Sequence, residues 1–215
     1  MMQLSDSSAQ TLNYTGPVVV IAAGTGGPQA LTQILPQFPS SFPGTIIVIQ
    51  QMRNGFTRVL ANMLNQMCNL PVHEPVDGQA LQPSRILMTP SNCRLMFTKD
   101  DFGTPGIRVL VEDIDDLPEE RRSRVDHMMT SIAGTFAKQT VGVLLTGIGT
   151  DGREGLRTIH SAGGITIAQD SASSVVFDLP SYAIEAGVVH ETLPLWNIAD
   201  RIIELAKENA DAIAA

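Results

Sequence analysis

Apolar residues along this chain come in two rhythms that alternate from one end to the other. Short apolar runs at Val18–Ile21, Thr45–Ile49 and Val141–Leu145 read as buried strands. Between them lie stretches with helical spacing. From Phe56 to Met67 the apolar residues Phe56, Val59, Leu60, Met63, Leu64 and Met67 recur at i, i+3, i+4. That methionine-rich face is expected in the core, with a binding surface the lesser option. Pro28 suits the first turn of a helix reaching about Leu35. Further helices are predicted over Val125–Lys138, Gly152–Ala162, Pro180–Ala186 and Leu195–Ala206, the last with Leu195, Ile198, Ile202, Leu205 and Ala206 facing inward. A strand is predicted over Gly164–Ala168. Three β-like pieces, Arg85–Thr89, Arg94–Thr98 and Ile107–Val111, are separated by turn residues such as Pro90-Ser91-Asn92 and suggest hairpins. Strands alternating with helices imply right-handed crossovers. The expected fold is α/β: a single doubly wound, mainly parallel sheet flanked by helices, with a short β-hairpin region.

In such sheets, functional groups gather at the carboxyl ends of strands. The first strand ends in Ala22-Ala23-Gly24-Thr25-Gly26-Gly27, whose only hydroxyl is that of Thr25. The second ends in Gln50-Gln51-Met52, and the third in Thr146-Gly147-Ile148-Gly149-Thr150-Asp151-Gly152. Together these three ends resemble the catalytic domain of the chemotaxis protein-glutamate methylesterase (CheB) family. That family carries Ser, His and Asp on the turns G-A-S-T-G-G, Q-H-M and L-T-G-M-G-x-D-G. The serine falls at Gly24, the histidine at Gln51 and the aspartate at Asp151. Gly55-Phe56-Thr57, Val125-Asp126, Ile167–Asp170 and the stretch from Ala172 to Pro180 also match, so the resemblance covers about residues 17–190. It implies a CheB-type domain over 16–209. The implied cleft holds Thr25, Gly26, Gly27, Met52, Ile148, Gly149 and Arg122. Arg122, Arg124 and Asp126 belong to a segment expected to line the cleft and to shape partner specificity.

The residues present change what that resemblance implies. Glycine at 24 supplies no nucleophile, and a glutamine amide at 51 cannot take up a proton as histidine does. Asp151 therefore has no imidazole to orient. Its expected role is to accept hydrogen bonds from Gln51 or Thr25, or to cap the helix starting at Gly152. Thr25 sits one position late for a nucleophile. His73, His127, His160 and His190 are placed on or near the ends of elements or inside one, and none replaces the lost base by sequence logic. Three readings compete. The favoured one is a non-catalytic relative acting as a binding or regulatory partner in a chemosensory system. The others are an active methyl ester hydrolase or glutamine deamidase using non-standard residues, and a small-anion or nucleotide module. The turn fails G-x-G-x-x-G, because Gln29 takes the last glycine position.

The bulk numbers narrow these readings further. A chain of 215 residues fits one domain. A net charge of −8 disfavours nucleic acid and anionic membrane surfaces. No apolar run approaches the roughly 20 residues that span a bilayer. Met1 to Thr15 reads as a flexible lead-in without a secretion signal, too short for the receiver domain that most of the family carries there. Cys68 and Cys93 match no zinc spacing and are expected as thiols in a reducing cytosol. The acidic run 112–120 lacks the ligand order of a Ca²⁺ loop. The expectation is a cytoplasmic domain without cofactor or metal. Its partners are chemoreceptor cytoplasmic helices or other chemosensory proteins, with no nucleic acid and no membrane insertion.

Overall fold

The computed structural model describes residues 16–99, 105–111 and 123–214. The expectations for 1–15, for 112–120 and for Arg122 lie outside the described residues. Within them, β1 (Val18–Ala23), β2 (Thr45–Gln50), β3 (Val72–His73), β4 (Arg85–Met88), β7 (Thr140–Leu144), β8 (Ile165–Gln169) and β9 (Glu191–Leu193) form one sheet. Its order is β3-β4-β2-β1-β7-β8-β9. Every pairing in it is parallel. The remaining strands, β5 (Cys93–Lys99) and β6 (Pro105–Val111), make a separate antiparallel pair. Among the described residues there are six α-helices, beside two single-turn 3-10 helices: α1 (Gly27–Ile34), α2 (Phe56–Met67), α3 (Arg124–Phe136), α4 (Arg153–Ser161), α5 (Asp178–Glu185) and α6 (Leu195–Ala214).

The central strands are buried on both faces, and their side chains divide with period two. In β1, Val19, Ile21 and Ala23 join one core layer, while Val18, Val20 and Ala22 join the other. The first layer is closed by α1, α2 and α6. All five inward positions expected on the C-terminal helix are buried in it. Helices α3, α4 and α5 close the second layer, together with Leu95, Phe97 and Ile107 of the hairpin. Phe97 meets Phe136 of α3 edge to face, with ring centroids 6.3 Å apart.

Two sequence expectations are corrected. The Arg85 segment is not part of a hairpin but a parallel strand of the main sheet beside β2; Ile86, Leu87 and Met88 are fully buried, as a covered strand requires. The methionine-rich face of α2 is only half in the core. Leu60, Ala61 and Leu64 are buried, whereas Phe56, Val59, Met63 and Met67 are 57%, 65%, 42% and 49% exposed. The apolar arc of α2 is wider than the side it turns to β3, β4 and α1.

The chain winds from β1 toward β2 on one side and later places β7 on the other. The strand order therefore reverses between β1 and β7, where doubly wound sheets open a crevice beyond the strand ends. The turns carrying Gly24 and Asp151 leave the sheet at this point.

Candidate functional site

Backbone hydrogen bonds lace the three strand-end turns together. The Gly24 amide donates to the Thr146 carbonyl at 2.9 Å, and the Gln51 amide donates to the Ala23 carbonyl at 2.9 Å. The side chain of Gln51 lies between Gly24 and Asp151. Its Nε2 donates to Asp151 Oδ2 at 3.4 Å. A Cβ added to Gly24 would lie 3.2 Å from Gln51 Oε1, 3.0 Å from Gly147 Cα and 3.5 Å from the Ile148 nitrogen. Gly24, Gln51 and Asp151 thus converge at one rim, with the Gln51 amide between the other two. What occupies the line is an amide that can donate and accept but cannot change protonation near neutrality.

Asp151 is held from the opposite side. Its carboxylate accepts the backbone amides of Arg124 (3.1 Å), Val125 (3.2 Å) and Asp126 (3.0 Å), and the Ser123 hydroxyl. It therefore caps α3, not the helix beginning near Gly152 as the sequence suggested. That helix, α4, is capped by Asp126, whose Oδ1 accepts the Gly152 amide at 2.8 Å and the Gly155 amide at 2.7 Å. The two aspartates exchange helices, each satisfying the free donors at the start of the other's element. Arg124 is buried behind them, its guanidinium donating to the carbonyls of Pro90 and Cys93. This ties the start of α3 to the β4–β5 connection.

Burial raises the Asp126 pKa above the ordinary carboxylate range, against the lowering effect of its bonds from Gly155 and Ser123. An acid raised in the folded state contributes stability that is full below its unfolded value of about 3.9 and is lost as pH climbs through the raised value. Asp126→Asn keeps the acceptor oxygen for Gly152 and Gly155 and removes the titration. Its unfolding free energy should vary less than that of the unmodified protein as pH rises from about 4 toward neutrality. Chemical denaturation across that range is the check.

Several residues that the sequence did not single out build the floor. Gln50 is buried and its Nε2 donates to the carbonyls of Gly24 (2.8 Å) and Gln51 (3.0 Å). Its Oε1 fills the space a Cβ on Gly27 would need, 2.1 Å away. The Thr146 amide donates to buried Gln169 at 2.8 Å, and its hydroxyl lies 2.9 Å from the Thr25 carbonyl. Polar residues closing apolar strands were the available signal for all three.

Among the expected cleft residues, Ile148 is 60% exposed at the rim, with Gly149 beside it in a left-handed turn. Gly26 also has positive φ and lies under Val175, whose Cβ would be 2.7 Å from a Cβ placed there. Thr25 is exposed, Met52 packs partly on the core, and Gly27 is buried as floor. Gly147 is also tightly enclosed: a Cβ there would meet Leu179 Cδ1 at 2.3 Å and the Gly24 nitrogen at 2.9 Å. Gly147→Ala should cost about 1–3 kcal/mol through overpacking, read as a lower denaturation midpoint.

No histidine occupies the site among the described residues. His127 turns Nδ1 to the Ser123 carbonyl, His73 meets Gln79 at 3.3 Å, and His160 stacks on His190 with centroids 4.4 Å apart. Burial pushes the Cys68 thiol up to about 11 and raises Cys93 as well, so neither is a ready thiolate. Among the described residues no group of three or more His, Cys, Asp or Glu could hold a metal ion. None of their helices is long and apolar enough to cross a membrane.

The same three turns bring the comparisons with known proteins to a point. The family model described as CheB methylesterase matches residues 19–202. The chain belongs to the CheB methylesterase family. A protein-glutamate methylesterase/protein-glutamine glutaminase 1 of Carboxydothermus hydrogenoformans is 40% identical over 185 residues, covering 86% of this chain and 54% of that protein. One of Anaeromyxobacter dehalogenans is 40% identical over 193 residues, 89% of this chain and 52% of that protein. The chain thus spans about half the length of the curated relatives it matches. The crystal structure of the Thermotoga maritima CheB methylesterase catalytic domain superposes with a TM-score of 0.82 at 34% identity, covering 88% of this chain and 98% of that one.

Proposed function

We propose that this CheB methylesterase-like domain recognises the partner helices of a chemosensory system in the cytoplasm and holds them without hydrolysing an ester or amide. The observation that carries the reading is the Gln51 amide lying between the Gly24 position and Asp151. Acyl transfer by this constellation needs an oxygen nucleophile and a base that takes its proton. A glycine and an amide supply neither, whereas the cleft around them keeps its backbone bonds and its carboxylate. Hydrolysis by other residues finds no support in the side chains: His73 is bonded to Gln79, His160 and His190 stack on each other, and His127 is engaged with the Ser123 carbonyl. An anion site at the start of α1 is disfavoured by the buried, unpartnered acceptor Gln50 Oε1 against Gly27.

The cytoplasmic helical fragment of a chemoreceptor from the same organism is the first ligand to test, by titration calorimetry. The expected result is saturable binding, with the fragment recovered chemically unchanged. Binding that is absent for methylated, amidated and free-glutamate forms alike would remove the reading.

A further inference from the structure

The polar edge of the cleft is itself selective, because the Gln51 amide can present only one of its ends. Its Nε2 faces Asp151 Oδ2 at 3.4 Å. Turning the amide over would set Oε1 against a carboxylate that has no proton to give, so the nitrogen stays on the Asp151 side. Oε1 is left facing the other way, 3.2 Å from the point that a Cβ on Gly24 would occupy. A histidine in this place could offer a ring nitrogen as donor or as acceptor by changing tautomer or charge. A glutamine pinned in this sense offers an acceptor alone.

Hydrogen-bonding capacity is left over around that point. Among the described residues Gln51 Oε1 accepts no hydrogen bond, and it is not sealed from solvent. The Ile148 nitrogen lies 3.5 Å from the same point, on an exposed residue, and its N–H donates to no described acceptor. An acceptor and a donor therefore flank one spot at the rim, where Gly24 leaves out the side chain that would stand between them. A primary amide is complementary to this pair: its NH₂ donates to Oε1 and its carbonyl accepts from the Ile148 N–H. A methyl ester supplies the carbonyl and no donor. A free carboxylate supplies acceptors only and brings a second negative charge toward Asp151. A site built to pair with an N–H rejects analogues that lack one, because its own polar group is then left unpaired in the complex.

We infer that the cleft discriminates by amidation: it takes up a glutamine side chain of the partner helix in preference to a methylated or a free glutamate, through Gln51 Oε1 and the Ile148 amide. This rests on the binding reading above and names the chemical form that the site selects. The probe is the purified cytoplasmic helical fragment of a chemoreceptor from the same organism, prepared with glutamine, glutamate methyl ester or free glutamate at its modified positions. Each form is titrated against the unmodified chain, Gln51→Met and Asp151→Asn. Gln51→Met removes the acceptor at nearly the same side-chain length. Asp151→Asn frees the Gln51 amide to turn over. Thermal melts identify a variant that fails to fold, in which case the other carries the test.

The unmodified chain should bind the glutamine form about fivefold or more tightly than the ester, with the glutamate form weakest. In Gln51→Met the glutamine and ester forms should come within about twofold of each other, and Asp151→Asn should shrink the same ratio while the helix still binds. Equal affinity of the unmodified chain for all three forms, or a preference for the ester, would overturn the inference and leave the binding reading standing. A glutamine preference that survives both variants would overturn the role given to Gln51. Absence of binding in every form overturns both readings. Conversion of the bound glutamine form to glutamate also overturns both, since the cleft would then deamidate what it holds.

Discussion

Gly24→Ser combined with Gln51→His should restore slow cleavage of a glutamate methyl ester, and neither change should do so alone. The serine hydroxyl introduced singly would face the Gln51 carbonyl oxygen, which lies 3.2 Å from the new Cβ and can accept its hydrogen bond but not its proton. Histidine introduced singly would have nothing to activate. In the double variant the imidazole takes the place of an amide that already donates to Asp151 Oδ2, so the carboxylate is positioned to orient the ring. The serine Cβ would come 3.0 Å from Gly147 Cα, so the turn must give by a few tenths of an ångström. Loss of nucleophile and base costs such triads roughly a million-fold, and recovery of about a hundredfold or more over the unmodified protein is the expected outcome. Adding Asp151→Asn to the double variant should remove that gain. A folded double variant that stays silent would mean the cleft has drifted from hydrolytic geometry.

Asp151→Ala should destabilise the protein by about 2 kcal/mol. The carboxylate accepts three consecutive backbone amides at the start of α3 together with the Ser123 hydroxyl. Alanine leaves those donors to compete for water in a half-buried position. In a chain of this size the loss corresponds to about 4–8 °C in Tm. Asp151→Asn, which keeps one acceptor oxygen, should lose less. A change within about 0.5 kcal/mol for Asp151→Ala would show that the helix start does not rely on it. The same bonds give the aspartate a structural role at the start of α3 whatever else it does.

Most of the architecture was legible because the apolar rhythm is strong where strands are covered on both faces. Val18–Ile21 and Val141–Leu145 could be placed within a residue or two, and the bounds of α2 were read as they stand. What local pattern could not give was pairing. Arg85–Met88 precedes the turn residues Pro90-Ser91-Asn92 and so resembled the first arm of a hairpin, but its partner is β2, some forty residues earlier. The two- and three-residue strands β3 and β9 are too short to show any period.

The convergence of the three strand-end turns was legible, and the wiring between them was not. Motif spacing brought Gly24, Gln51 and Asp151 to one rim. It could not show that Asp151 serves α3, whose amides lie 25 to 27 positions away, when Gly152 is its neighbour in sequence. Nor could helical spacing say which part of the wide apolar arc of α2 the sheet would cover. That left Phe56, Val59, Met63 and Met67 assigned to the core, although they lie at the surface.

Release of methanol from a methylated chemoreceptor fragment by the unmodified protein is the decisive measurement. With glycine at 24 and glutamine at 51, none should be released above the uncatalysed rate while the fragment remains bound. Turnover by the unmodified protein that disappears on Asp151→Ala, in a variant that still folds, would contradict binding without hydrolysis and return this domain to the active esterases.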